Sequence, residues 1–327
     1  MLVSCTIFPG PFTEKDSCIL YINDPSDTSN LWIKCNDEEP RQLLENISNI
    51  EDYAVSGSGD LIFFSQKNDF GGSDIWQVNK NGKKLKKSVD CKELTCSEIA
   101  YNAVVKKIAY VELGKNPKVY IIDLATNTSI SHPAMGTELR FSPNGEYLSF
   151  FDQKTNQLKV VKLENKTVIE QESATGLTGG WAEDSSRILF GKVNFWGGIP
   201  GFDVYTLSIE KGEVEPLFAS QNQETEYYQP EFTEIEGVIL VAVRERNSGS
   251  SRQLWLVTMN GEVLRKITED LTYNYSSYQW NIDHSRLLFQ RFPIGQSEGQ
   301  PEIWVWNVES DSFSKIASNA ARPQWLP

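Results

Sequence analysis

The chain has 327 residues, 39% of them hydrophobic, and carries a net charge of −13 at pH 7. That acidity disfavours nucleic acid and anionic membrane surfaces as partners. No apolar run reaches the ~18 residues of a membrane-spanning helix, yet the apolar content is enough for a large core.

Residues 1–15 read as an N-terminal linker. The start, Met1-Leu2-Val3-Ser4-Cys5, resembles a bacterial lipobox, in which Cys5 would be lipidated after export. Two readings stand, a lipid anchor at Cys5 and a chance match, because no basic or apolar segment precedes it. The other cysteines form two local pairs. Cys18 and Cys35 flank a predicted hairpin whose register sets them opposite each other, and Cys91 and Cys96 close a short loop. Such pairs suit an oxidising compartment, with reduced thiols in a cytoplasmic protein as the alternative.

From Asp16 to Pro327 the chain reads as one repetitive domain. Apolar runs fall at Ile19–Ile22, Leu61–Phe64, Ile108–Val111, Tyr147–Phe151, Ile188–Phe190, Val238–Val243 and Leu287–Phe289. Their spacing of roughly 40 to 50 residues is that of propeller blades. Most are continuous rather than alternating, as expected of strands buried on both faces. An aromatic precedes most runs at a fixed distance: Tyr101 before Ile108, Phe141 before Leu148, Trp181 before Ile188, Phe232 before Ile239, Trp280 before Leu287. A third strand follows each run, as at DIWQV from Asp74, DVYTL from Asp203 and IWVWN from Ile303, and then a weaker fourth. The first unit lacks a leading strand, and Arg322–Pro327 supplies the missing pattern with Trp325 as its aromatic. The expectation is an all-β fold, a seven-bladed β-propeller of four-stranded antiparallel blades, its first blade closed by the C-terminal strand, with six true blades and one irregular insert as the alternative. Closure removes exposed sheet edges.

The stretch Phe141–Phe151, FSPNGEYLSFF, with the later DVY and DIW strands, resembles the WD40-like (PD40) repeats of the TolB-type propeller family. That family's unit reads S-P-D-G-K before an apolar strand, and Ser142–Gly145 comes closest to it. The resemblance implies the fold and leaves the activity open.

Catalytic signatures are sparse. His132 and His284 are the only histidines and fall in different repeats, and no nucleophile elbow, H-E-x-x-H or phosphate-binding loop occurs. Asp24, Asp27 and Asn30 faintly match a calcium loop without its glycine and closing Glu, which makes an ordinary turn the expectation. No metal or cofactor is expected. The unusual loops join second to third strands and therefore share one face. Phe195, Trp196 and Phe202 sit on a Gly-rich loop, and Tyr227 and Tyr228 on a blade connection. These aromatics form either a recognition platform or a plug in the channel mouth. Arg244, Arg246 and Arg291 end second strands on that face. They would hold an anion together or pair with carboxylates such as Glu224 or Glu245.

The sequence thus points to an exported, non-enzymatic binding module whose loop-rich face recognises a protein, peptide or glycan. Membrane contact would come only through a lipid anchor. The rival is a propeller enzyme, a hydrolase or lyase, with its site at the channel mouth; a third reading has the outer blade edges do the binding. The expected location is extracytoplasmic, in a bacterium.

Overall fold

The computed structural model describes residues 18–36, 38–56, 59–173, 178–218, 224–295 and 299–326. Cys5 and the linker lie outside them. The described residues form only strands and turns. Four-stranded antiparallel meanders follow one another along the chain, as blades of a β-propeller. Each places its first strand toward the centre, where neighbouring first strands such as Ile50–Val55, Thr95–Asn102 and Gly136–Phe141 pack side by side.

The first sheet joins the two ends of the chain. Cys18–Asn23 pairs on one side with Asn30–Cys35 and on the other with Ala320–Leu326, setting Cys18 opposite both Cys35 and Leu326. The Cys18–Cys35 disulfide spans the first of these pairings.

Seven separate blades were expected, but among the described residues five four-stranded sheets stand alone. The strands between Ile50 and Pro133 make a single eight-stranded sheet, two meanders joined by one parallel bridge between Ser73 on the third strand of the first and Thr95 on the first strand of the second. The cause is a close backbone approach. Ser73 N donates to Leu94 O at 3.1 Å, and Gly72 lies so near the Lys92 and Leu94 carbonyls that a Cβ would strike both. The Cys91–Cys96 disulfide closes the loop that carries Leu94. Asp74 fixes that loop by accepting from Cys91 N at 2.9 Å.

The continuous apolar runs are explained by the core. It is divided into layers between successive sheets, so each second strand feeds two layers. Ile62 and Phe64 face Leu20, Leu31 and Ile33, while Phe63 between them faces Ile108 and Tyr110. Ile239, Val241 and Val243 face Leu189 and Val204, while Leu240 and Ala242 face Leu287 and Phe289. Polar hydrogens on ring side chains tie sheets together: Tyr53 OH donates to Leu20 O at 2.7 Å, Trp181 Nε1 to Ser149 Oγ at 3.0 Å and Trp325 Nε1 to Gln279 O at 3.0 Å.

Candidate functional site

On the face carrying the second-to-third strand loops, one hairpin stands out. Its strands, Arg187–Trp196 and Ile199–Ser208, are ten residues each. Gly197 and Gly198 join them with φ of 59° and 86°, the left-handed pair that suits a two-residue hairpin turn. The ladder runs unbroken from Arg187↔Ser208 to Trp196↔Ile199. Among the described residues, neighbouring strands pair with its base, at Ile188, Phe190 and Tyr205–Leu207, and the distal half runs beyond these pairings as a two-stranded ribbon. On that ribbon Phe195 is 69% exposed, and Val193 and Ile199 are exposed as well. Trp196 lies at the turn, paired with Ile199.

The base of the ribbon is clamped to the next sheet. Asp203 accepts from Asn194 Nδ2 at 2.8 Å and from Arg246 Nη2 at 3.2 Å. Both members of the Arg246–Asp203 pair are buried, and Arg246 also donates to Thr225 O at 3.1 Å. Its guanidinium lies against Gly201, where any Cβ would collide with it. The Phe202 ring packs on Tyr228 with centroids 5.0 Å apart.

The remaining candidates are held by neighbours. Tyr227 is buried against Phe218 at 4.7 Å. Tyr228 is buried, and its hydroxyl donates to Glu226, which also accepts from Arg244 Nε at 2.6 Å. Burial, and next the bond to Glu226, push the Tyr228 phenol well above its ordinary range. The guanidinium groups of Arg244 and Arg252 lie over its ring at 5.2 and 4.6 Å. Arg291 pairs with Glu302 at 2.9 Å and is flanked by Tyr273 at 3.8 Å and Trp304 at 4.1 Å. The structure therefore brings Phe202, Tyr228, Arg244 and Arg246 together. Among the described residues the three arginines pair with three different carboxylates, Glu226, Asp203 and Glu302.

The histidines are apart. His132 sits beside Lys159 and Glu170 at a cavity of about 200 Å³, its imidazole pKa lowered by burial and then by Lys166 and Lys159. His284 stacks on Trp280 at 5.6 Å, and its Nδ1 accepts from Glu234 N at 3.2 Å.

A second grouping lies along the central channel, on the first strands. Asp52 pairs with Arg322 and accepts from Ile99 N at 2.7 Å. Glu98 accepts from Glu138 N at 2.9 Å. Arg140 reaches Glu231 past the strand Thr178–Trp181, where Gly180 leaves space for the Glu231 carboxylate. Burial raises the carboxyls of Asp52 and Glu231 despite their arginines. Glu98 is raised by burial and then by the negative charge of Asp52. Carboxyls poised in this way suit proton transfer or the binding of a cationic group.

No family model matches this sequence, and no curated protein matches it. Among solved structures, the propeller domain of the Trilobed protease from Pyrococcus furiosus is 12% identical, with a TM-score of 0.65 over 93% of this chain and 95% of that one. TolB from Acinetobacter baumannii is 18% identical, with a TM-score of 0.55 over 98% of this chain and 69% of that one. An acylaminoacyl peptidase from Pyrococcus horikoshii is 13% identical, with a TM-score of 0.62, covering 93% and 51%. The chain has a TolB-like β-propeller fold. Identities this low carry the fold alone.

The channel residues of the propeller escaped the sequence reading, although a signal exists. Glu98, Glu138, Gln229, Ser277 and Arg322 each lie three positions before the aromatic that ends the first strand. All five have positive φ, between 47° and 57°, and each sits at a break in strand register. A bulge of this kind turns a side chain out of the sheet alternation. The polar residue at that one repeat position, charged at Glu98, Glu138 and Arg322, therefore marked the channel.

Proposed function

We propose that this protein is an exported binding module, built on TolB-type WD40-like (PD40) repeats, that recognises a protein or peptide through its loop-rich face. The eight-stranded sheet serves in this reading as two blades, for a ring of seven in residues 16–327. The observation that carries the function is the projecting ribbon. Val193, Phe195 and Ile199 are exposed on a hairpin whose base is fixed by the Arg246–Asp203 pair and by Phe202 on Tyr228. Apolar side chains held in water on a rigid element lose little conformational freedom on binding and gain from burial. Trp196 at its tip adds a further anchor type favoured in interfaces. Tyr227, Tyr228, Arg244, Arg246 and Arg291 act as the support that holds this surface. Both disulfides favour an extracytoplasmic location, and lipidation at Cys5 would tether the module to a membrane.

The test is a peptide, protein and glycan array probed with the parent protein and with Phe195→Ser. Loss of a parent signal in the variant, with an unchanged melting temperature, supports recognition by the ribbon. Equal signals overturn it. The enzyme reading has its own observation, the raised carboxyls of Asp52, Glu98 and Glu231 in the channel. Turnover of a substrate that is abolished by Glu98→Gln, with Phe195→Ser fully active, would favour it.

A further inference from the structure

The opposite face of the propeller carries the turns between first and second strands and between third and fourth strands. Two neighbouring sheets part there to leave an open cleft of about 430 Å³. Its walls are the turn 182–187 on one side and the turn 232–238 on the other, with Met259 from the following turn. The volume is that of a site for one or two side chains or a small ligand.

The chemistry of the cleft is divided by depth. Phe232, Ile235 and Met259 are half-buried and form an apolar floor. Glu183, Asp184 and Glu236 are exposed on the rim. Arg187 is the single cation in the lining, and its guanidinium lies over the Phe232 ring at 5.8 Å. Asp184 stays ionised, since bonds from the Ser186 amide and hydroxyl lower its pKa. The rim thus carries an excess of negative charge above an apolar floor, on a protein whose net charge is −13. That field rejects acidic ligands and draws cations.

We propose that this cleft is a docking site for a short polypeptide segment in which an apolar side chain is flanked by Lys or Arg. The apolar side chain enters between Phe232 and Met259, and the flanking cations meet Glu183 and Glu236. The site lies at the other end of the strands from the ribbon at Phe195, so one module presents two independent binding surfaces.

The probes are an N-acetylated, C-amidated Lys-Trp-Lys peptide and its Glu-Trp-Glu counterpart, followed by fluorescence anisotropy. Saturable binding of the basic peptide is expected, with none of the acidic one and weakening as salt is raised. The double charge reversal Glu183→Lys, Glu236→Lys should weaken binding about tenfold or more. Both positions are exposed, so the variant folds as the parent does. Phe195→Ser should leave this binding intact, which separates the cleft from the ribbon. No saturation up to about 1 mM, equal binding of the acidic peptide, or binding unchanged by the reversal would each overturn the proposal. Loss of binding in Phe195→Ser alone would reassign the peptide to the ribbon and overturn it equally.

Discussion

Arg140 reaches past the strand Thr178–Trp181 to Glu231, beside Gly180, whose missing side chain is what gives the Glu231 carboxylate its place. Three first strands are linked through this contact. Gly180→Ala inserts a methyl where a carboxylate oxygen now sits. Overpacking at a fixed site costs about 1–3 kcal/mol. A lower urea midpoint with unchanged slope is the expected readout. Gly180→Ala should cost less on a Glu231→Ala background than on the parent, because the colliding group is gone.

Glu98 gives a pH-dependent prediction. Its carboxyl is raised in the folded protein by burial and by Asp52. A carboxyl raised on folding binds its proton more tightly in the native state, so stability falls as pH rises from the ordinary carboxylate range through the raised value. Glu98→Gln removes that charge while keeping an oxygen to accept from Glu138 N. The variant should be more stable than the parent at pH 7, by on the order of 1 kcal/mol. The gain should vanish on acidification through the same window. Denaturant titrations at several pH values check it; a gain that persists at pH 4 would contradict the assignment.

The ribbon depends on a buried ion pair. Arg246 and Asp203 are both almost fully buried, with side chains 4% and 1% exposed. Arg246→Met leaves Asp203 buried with Asn194 in place of a cation. Breaking such a pair from one side costs about 3–5 kcal/mol. Hydrogen exchange should quicken selectively at the amides of Asn194–Phe202, because among the described residues the ladder of the hairpin itself is the strand pairing that protects this half.

Much of this architecture was legible because a propeller strand repeats its environment. Phe63 and Phe64 point into different layers, so both are apolar, and the run announces a strand buried on both faces. Cys18 and Cys35 could be paired because hairpin register is fixed by residue count. Other features depend on contacts between distant residues. The merger of two meanders rests on Gly72 meeting the backbone near Leu94, which no local pattern records. The partner of Arg246 is Asp203, 43 positions away, while nearer carboxylates at Glu224 and Glu245 were the obvious choices in sequence. The channel charges were hidden differently. Glu98 and Glu138 look like solvated strand residues until the bulges turn them inward.

Ring closure rests on the last strand. Trp325 is 6% exposed, and its backbone N and Nε1 donate to Gln279 at 3.0 Å each. Arg322 carries the pair to Asp52, and its carbonyl accepts from Tyr53 OH. Truncation after Ala321 removes all of these and leaves Cys18–Asn23 as an open edge. Trp325→Ala alone should cost about 3–5 kcal/mol as a buried aromatic lost from a packed layer. The truncation should cost more, and it should also make the protein prone to associate through the freed edge. Denaturant midpoints and light scattering measure the two effects. The Cys18–Cys35 bond holds only the far side of Cys18–Asn23, so it cannot substitute for the lost strand. A truncated chain that unfolds at the parent midpoint and stays monomeric would show that the circle is stable without its closing strand.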